Sequence, residues 1–266
     1  MTLSVSSRYL PGEFSALTTM AVILALASVP LLAAMLLDSR QIDGDSIWLK
    51  PLKFHAALAI YMVTLTFFAR YLPAGLTDGR GWRIYQTIVL GCIAAEVIWI
   101  GAAAALGTTS HFNVSSPVWA AVYPLMGLAA VTLTSMSLAM GIAIWRNPAT
   151  GLAPALQLSI ALGLILTFAL TVITAGYMSN TPGHYVGTPL TGAKLPVLGW
   201  STEVGDLRAP HFLATHALHG VPVVGWLATL ILPGTWAIPT VWLAALAYAA
   251  LVGLAFARSL AGMPLI

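Results

Sequence analysis

The sequence predicts an all-α protein, a polytopic transmembrane bundle of seven helices, with six spans as the alternative. Hydrophobic residues make up 59% of its 266 positions and charged residues only 7%, whereas soluble proteins carry about 25% charged residues. The mean hydropathy is +0.91. Seven apolar windows each approach the roughly 20 residues that carry a helix across the hydrocarbon core. These observations argue against a soluble globular protein and make the lipid bilayer its first partner.

The seven predicted spans follow one another along the chain, because helices satisfy their own backbone groups in lipid. The second window is the shortest and ends at Arg70, whose side chain can reach the headgroups. The fourth is long enough to tilt. The windows cover residues 16–37, 54–72, 84–106, 118–145, 155–176, 211–232 and 236–257.

The last two windows decide between seven spans and six. Only Pro233-Gly234, a turn signal, separates them. Two full spans give seven helices, whereas a re-entrant hairpin would leave six. Because no repeat with a period of 20–50 residues is visible, we expect residues 1–266 to form a single integral membrane domain.

Composition also excludes several classes of function. The net charge is +3 and there is no polybasic run, so nucleic acid is not an expected partner. The single cysteine, Cys92, excludes an internal disulfide and any Cys-x-x-Cys motif. No glycine-rich phosphate loop and no Gly-x-Ser-x-Gly elbow is present. The oligomeric state is left open.

Threading seven spans through a bilayer divides the connections between two faces, and one face holds every histidine. Lysine and arginine are split almost evenly, so the positive-inside rule does not decide the orientation. We predict that the N-terminus and the histidine-free face are cytoplasmic. The histidines are His55, His111, His184, His211, His216 and His219.

The histidine-bearing face also carries the one long connection, residues 177–210, which is rich in glycine and proline. Loops of this length without periodicity are usually functional or disordered. Trp200 and its apolar neighbours give this segment enough surface to pack as a lid, so Trp200 is a candidate for binding substrate. His184 lies in the same loop and is a candidate metal ligand.

The strongest motif begins with Gly-Asp-Leu-Arg at residues 205–208 and continues into the sixth window. Asp206 and Arg208 are candidate catalytic residues at its start. His211, His216 and His219 share a broad helical face of roughly 140° and are candidate metal ligands. The alternative is a polar helix start that is hydrogen-bonded to loop backbone.

Glu96 is a candidate catalytic residue inside the third window. It lies about ten residues from the end of its helix, a depth that matches that of His219, so the two could meet if their helices are neighbours. A carboxylate near the bilayer centre is costly unless it is protonated or paired. The alternative is a neutral glutamic acid that is bonded to a neighbouring helix.

Two further motifs lie at helix ends on the same face. His111, in Ser-His-Phe-Asn, is a candidate metal ligand, and Asn113 of that motif could contact substrate. Lys50 and Lys53, before His55, could hold an anionic headgroup or substrate; interfacial anchoring is the alternative.

Several of these motifs together resemble a family of bacterial polytopic membrane proteins of unassigned function. The resemblance covers roughly residues 36–230, and His55 and His219 fall outside its pattern. It implies a multi-span membrane protein and supplies no activity. We predict that the protein is a multi-pass protein of the bacterial inner membrane. The motifs are Lys-Pro-Leu-Lys-Phe at 50–54, the mid-membrane Glu96, Ser-His-Phe-Asn at 110–113, Gly-Trp-Ser at 199–201, Gly-Asp-Leu-Arg at 205–208, His-Phe at 211–212 and His-Ala-Leu at 216–218.

The sequence leaves three functional hypotheses open. The first is a membrane enzyme or redox protein that uses Zn, Fe, Cu or haem b held by histidines, with a small anionic or lipid-like substrate. The second is a proton-coupled transporter, which the absence of a visible broken helix pair disfavours. The third is a sensor or assembly subunit whose polar face binds a partner protein. Whether the protein is an enzyme is undecided at this stage.

Overall fold

The computed structural model describes residues 15–266 as a set of long apolar helices joined by short connections. The predicted cytoplasmic N-terminus, residues 1–14, lies outside the described residues. The helices are α1 (Ala16–Leu37), α2 (Leu49–Ala69), α3 (Arg80–Ala105), α4 (Pro117–Trp145), α5 (Pro154–Ser179), α6 (Arg208–Thr215), α7 (Ala217–Ile231) and α8 (Gly234–Leu260).

Six helices of the described chain are long and apolar enough to cross a membrane, and α6 with α7 makes a seventh if that bent pair counts as one span. Large apolar side chains such as Leu26, Leu36 and Leu243 are exposed on their surfaces, as expected where lipid is the solvent. The protein is therefore an integral membrane protein with an all-α, polytopic helical fold.

Local sequence explains the helix boundaries. The Ser15 hydroxyl accepts a hydrogen bond from the Thr18 N–H and caps α1. Pro154 occupies the first turn of α5, where its missing N–H costs nothing. α2 begins five residues before the predicted window, because Lys50 and Pro51 join its first turn.

The few strands are two short hairpins in the connections. β1 (Gln41–Ile42) pairs with β2 (Asp45–Ser46) between α1 and α2. β3 (Tyr185–Val186) pairs with β4 (Gly205–Asp206) and closes the long connection before α6. The predicted loop of residues 177–210 therefore starts after Ser179, three residues later than predicted, because α5 is longer. The β3–β4 pair holds the base of this loop together.

Backbone contacts divide the chain into two compact units. The first contains residues 15–71 and 78–129, and buries Met62, Leu65 and Ile93 among its helices. The second contains residues 72–77 and 130–266. A core of small and branched residues, among them Ala155 and Val221, joins α5, α7 and α8 there. That the chain is one membrane domain stays a prediction.

Candidate functional site

The sixth span of the second unit is broken, which the sequence analysis did not predict. α6 ends at Thr215 and α7 begins at Ala217, and the two helices meet at an angle of 47°. α6 has eight residues, so the break lies about 12 Å along the span at 1.5 Å per residue. The expectation of one continuous helix over residues 211–232, with no broken helix, was wrong.

A diverted hydrogen bond accompanies the break, and a proline weakens the turn of α7 that follows it. Pro222 has no N–H to donate to the Leu218 carbonyl, and its ring crowds the preceding turn. The Leu218 N–H donates instead to Thr167 Oγ1 of α5, at 2.8 Å. From α8, the Tyr248 hydroxyl donates to the Leu213 carbonyl at 2.8 Å. Neighbouring helices therefore satisfy backbone groups that a regular helix would satisfy itself.

The three histidines of this span have different surroundings. His211 Nδ1 lies 3.4 Å from the Thr174 hydroxyl of α5. The His216 ring stacks on Phe212, with 4.1 Å between ring centroids. His219 packs against His216 edge to face at 5.3 Å. The structure thus brings His216 and His219 together at the break and ties His211 to α5.

A row of threonines on α5 faces the broken span, and the sequence analysis overlooked it. Thr167, Thr171 and Thr174 follow one another at helical spacing, so they share one face. Thr171 Oγ1 is buried and has no hydrogen-bond partner among residues 15–266. We call Thr167, Thr171, Ala214, His216 and Leu218 the break cluster. Its sequence signal was three regularly spaced hydroxyls in an otherwise apolar helix.

Asp206 and Arg208 form a tightly bonded pair above α6. The Asp206 carboxylate, 1% exposed, accepts from Arg208 Nε at 2.9 Å and from Arg208 Nη2 at 2.6 Å. It also accepts from the backbone N–H groups of Ser201 and Arg208, both at 3.0 Å. Arg208 Nη2 donates further to the Gly199 carbonyl and to the Tyr185 hydroxyl. We call these five residues the loop clasp.

The loop clasp fixes the long connection in place. The Leu207 N–H donates to the His184 carbonyl at 2.9 Å, and the Ser259 hydroxyl of α8 donates to the Asp206 carbonyl at 3.1 Å. The carboxylate of Asp206 uses all four of its acceptor positions inside the protein. This geometry favours a structural role for Asp206 and Arg208, and their catalytic role stays a prediction.

Trp200 packs the connection onto α6, and Glu203 holds the connection together. Trp200 is 7% exposed and its ring lies 5.4 Å from that of Phe212. Glu203 accepts hydrogen bonds from the Thr191 hydroxyl and from two backbone N–H groups, and the Thr191 hydroxyl is the main cause that lowers the pKa of Glu203. The segment therefore covers the start of α6, as the lid prediction requires, and substrate binding by Trp200 stays a prediction.

His184 lies inside this connection, beside the clasp. Its ring centroid is 4.1 Å from that of Tyr185, and its carbonyl receives the Leu207 N–H. These contacts hold the loop in place. A role of His184 as a metal ligand stays a prediction.

Glu96 and the two lysines belong to the first unit. Glu96 is 3% exposed on α3, within electrostatic range of Lys50 at the start of α2. Lys53, one turn further along α2, is exposed. The predicted meeting of Glu96 with His219 joins residues of different units and stays a prediction.

The Ser-His-Phe-Asn motif builds the turn after α3. His111 Nδ1 lies 3.0 Å from the Ser110 hydroxyl, and its ring packs near Phe54 and Tyr123. The Asn113 amide nitrogen donates to Thr108 Oγ1 and the Thr109 carbonyl. Its oxygen accepts from the N–H and the hydroxyl of Ser115. Because all its hydrogen-bonding positions are used locally, Asn113 shapes the turn, and substrate binding by it stays a prediction.

His55 is a buried residue of α2, bonded within its own helix. Its Nδ1 lies 2.8 Å from the Pro51 carbonyl, one turn earlier. The ring therefore donates from Nδ1, which leaves Nε2 as the acceptor in the neutral tautomer.

A second clasp, which the sequence analysis missed, closes the first unit. Arg40 pairs with Asp38 through Nη2 at 2.7 Å and donates from Nη1 to the Ala105 carbonyl at the end of α3. Trp48 Nε1 also donates to Asp38, at 2.9 Å. These hydrogen bonds, that from Arg40 foremost, hold the pKa of Asp38 well below its usual range.

Within residues 15–266 no three histidine, cysteine, aspartate or glutamate side chains lie close enough to hold a metal ion together. The rings of His216 and His219, two of the predicted ligands, are in contact. Binding of Zn, Fe, Cu or haem b stays a prediction.

Comparisons of this chain with protein-family models, with curated proteins and with solved structures find no match.

Proposed function

We propose that this protein is a proton-coupled transporter of a small anionic solute, and that the break in the sixth span is its central site. The observation that carries the proposal is the exchange of backbone bonds at the break: Thr167 takes the Leu218 N–H, and Tyr248 supplies a donor to the Leu213 carbonyl. Transporters place substrates and ions at broken helices because free helix ends lie there within the membrane.

Ionisable groups inside the spans supply the proposed coupling. Glu96 is almost fully buried in α3, and His216 and His219 are in contact at the break. Intramembrane ionisable residues commonly serve proton relays. Lys50 and Lys53 at the start of α2 would attract an anionic solute or lipid-like molecule.

The proposed setting is a bacterial inner membrane with the N-terminus in the cytoplasm. The resemblance of the Lys-Pro-Leu-Lys-Phe, Ser-His-Phe-Asn and Gly-Asp-Leu-Arg motifs to a bacterial polytopic family supports this setting. Fusions of a reporter enzyme that is active only in the periplasm, made at the N-terminus and in each connection, would test the orientation. Reporter activity at the N-terminus would contradict it.

The transport proposal is tested in proteoliposomes that enclose a pH-sensitive dye. Acetate, succinate, phosphate and sulfate are added in turn, and solute-dependent proton uptake is measured. We expect Glu96→Gln to lower the proton flux about tenfold or more, and Asp78→Asn, in an exposed loop, to leave it unchanged. Absence of flux with every solute, or full flux in Glu96→Gln, would contradict the proposal.

A metal- or haem-dependent enzyme is the second candidate, favoured by the contact between His216 and His219. Two imidazoles can contribute to a Zn, Cu or haem site. Metal analysis and an optical spectrum of the purified protein test it. If the purified protein shows no stoichiometric metal and no Soret band, this candidate is rejected.

A further inference from the structure

The register between α5 and the broken span places Thr171 beside the last turn of α6. Thr174 lies opposite His211 and Thr167 lies opposite Leu218, because each pair is joined by a polar contact. The two helices run in opposite directions, so we infer from these two contacts that Thr171 lies at about the level of Ala214. Ala214 itself is fully buried.

The Thr171 hydroxyl is not satisfied by its own helix. Threonines inside helices usually donate to the carbonyl one turn earlier, as Thr174 does to Leu170 at 2.8 Å. Thr171 Oγ1 has no such bond, and none to any other described residue, although Thr171 is 6% exposed. A buried hydroxyl without a partner is unfavourable, which points to a ligand that completes it.

Hydrogen-bond acceptors are in excess at this place. The Leu218 N–H is taken by Thr167, so the Ala214 carbonyl loses its regular helical donor. The His216 N–H is shared between the carbonyls of Leu213 and Ala214. The N–H groups of His219 and Gly220 both turn back to the His216 carbonyl. The backbone N–H groups at the break are therefore used, while the Thr171 hydroxyl and the Ala214 carbonyl still have free hydrogen-bonding capacity.

The charge at the break suits a cation. The C-terminal end of a helix carries partial negative charge, and α6 ends beside Thr171. α5 and α7 contain no lysine or arginine, and the one arginine of α6, Arg208 at its start, is paired with Asp206. Hydroxyl and carbonyl oxygens are the ligands that hard cations prefer.

We propose that the break cluster binds a small monovalent cation, with Na⁺ as its representative, through the hydroxyls of Thr171 and Thr167 and the Ala214 carbonyl at the end of α6. Such ions bind at the C-terminal ends of broken helices in carriers. The inference rests on the proposed function for its role as a second coupling ion, whereas binding itself is measured without transport.

Thermal unfolding of the full chain in detergent tests the binding. Melting temperatures are compared in sodium, potassium and choline chloride at equal ionic strength. Saturating Na⁺ is expected to raise the melting temperature by about 5 °C over choline. Thr171→Val should lose this shift, and Thr171→Ser should keep it.

A matched control comes from α2, where Thr66 also has a buried hydroxyl without a partner among the described residues. Thr66→Val should keep the Na⁺ shift, because Thr66 is remote in sequence from the break cluster and belongs to the other unit. In choline, Thr171→Val should melt no lower than the unmodified protein, since valine removes an unpartnered hydroxyl. The melting temperature in choline therefore shows whether Thr171→Val folds normally, independently of Na⁺ binding.

Equal melting temperatures in all three salts, or a Na⁺ shift that survives in Thr171→Val, would overturn the inference. An internal water molecule would then be the partner of the Thr171 hydroxyl. The proposed function is judged separately. Proton flux without Na⁺ binding rejects only the cation site, and Na⁺ binding without flux rejects only proton-coupled transport.

Discussion

The loop clasp and the break cluster both involve α6, at its start and at its end, yet they differ in how far their polar groups are satisfied. In the loop clasp, the Asp206 carboxylate accepts four hydrogen bonds from Arg208 and Ser201. In the break cluster, Thr171 Oγ1 has no partner in the described chain. Both regions place polar groups in buried positions, but only in the loop clasp does the buried side chain have all its hydrogen bonds.

This difference separates polar groups that hold a fold from polar groups that can bind. A fully bonded carboxylate has no acceptor position left for a substrate without breaking a bond inside the protein. An incomplete cluster inside a membrane carries an energetic cost that a ligand can relieve. Asp206 was therefore a weaker functional candidate than its motif indicated, and the threonines of α5 a stronger one.

Removal of the Asp206 carboxylate should have the largest effect on stability. Asp206→Ala leaves the Arg208 guanidinium without its bidentate partner, so we expect the free energy of unfolding to fall by about 3 kcal/mol. Denaturant unfolding in detergent measures it, with Asp78→Ala as a neutral control. If Asp206→Ala unfolds normally and yet loses flux, the carboxylate acts chemically and the contrast with the break cluster fails.

The close packing of α5 against α7 supports the break cluster and gives the second largest effect. A Cβ added at Gly225 would collide with Oγ and Cβ of Ser159. Gly225→Ala should therefore cost about 2 kcal/mol of stability. Gly176→Ala, with open space around its Cβ, should be neutral or stabilising by up to about 1 kcal/mol. Equal melting temperatures for the two variants would contradict the close approach of the helices.

The sequence predicted the fold well because membrane spans depend on local composition. A helix in lipid needs about 20 apolar residues, and every predicted window contains a helix or the bent pair. The start of α2 was missed by five residues because Lys50 and Pro51 are not apolar, although proline suits the first turn of a helix.

The site was harder to predict because its bonds join distant parts of the chain. Thr167 and Leu218 are 51 residues apart, and Asp206 and Ser259 are 53 apart. No local pattern reveals which backbone N–H a threonine will take. Pro222 was the one local signal of the break, since proline removes a helical donor. The histidines could be selected from residue type alone. The threonines could be recognised only from the packing of α5 against α7.

The bond between Thr167 and Leu218 should contribute a smaller but more specific effect. Thr167→Val leaves the Leu218 N–H buried without an acceptor, which should cost about 1.5 kcal/mol. Thr229→Val on α7 is the matched control, because its hydroxyl donates within its own helix to the Trp226 carbonyl. Thermal unfolding and proteoliposome flux are measured on both. Loss of stability without any change in flux would show that the break is structural and weaken the contrast with the loop clasp.

Asp38 and Arg40 form an exposed counterpart of the loop clasp, and should give the smallest effect. The hydrogen bonds from Arg40 and then Trp48 lower the pKa of Asp38 in the folded protein. The stabilisation is therefore complete above the unfolded pKa, near 4, and is lost as the pH falls below it. Because the pair is solvent-exposed, Asp38→Asn should lower the melting temperature at pH 7 by only about 1 °C. The same substitution should flatten the acid limb of the melting curve below about pH 4. A loss as large as that of Asp206→Ala would mean that burial is not what distinguishes the two clasps.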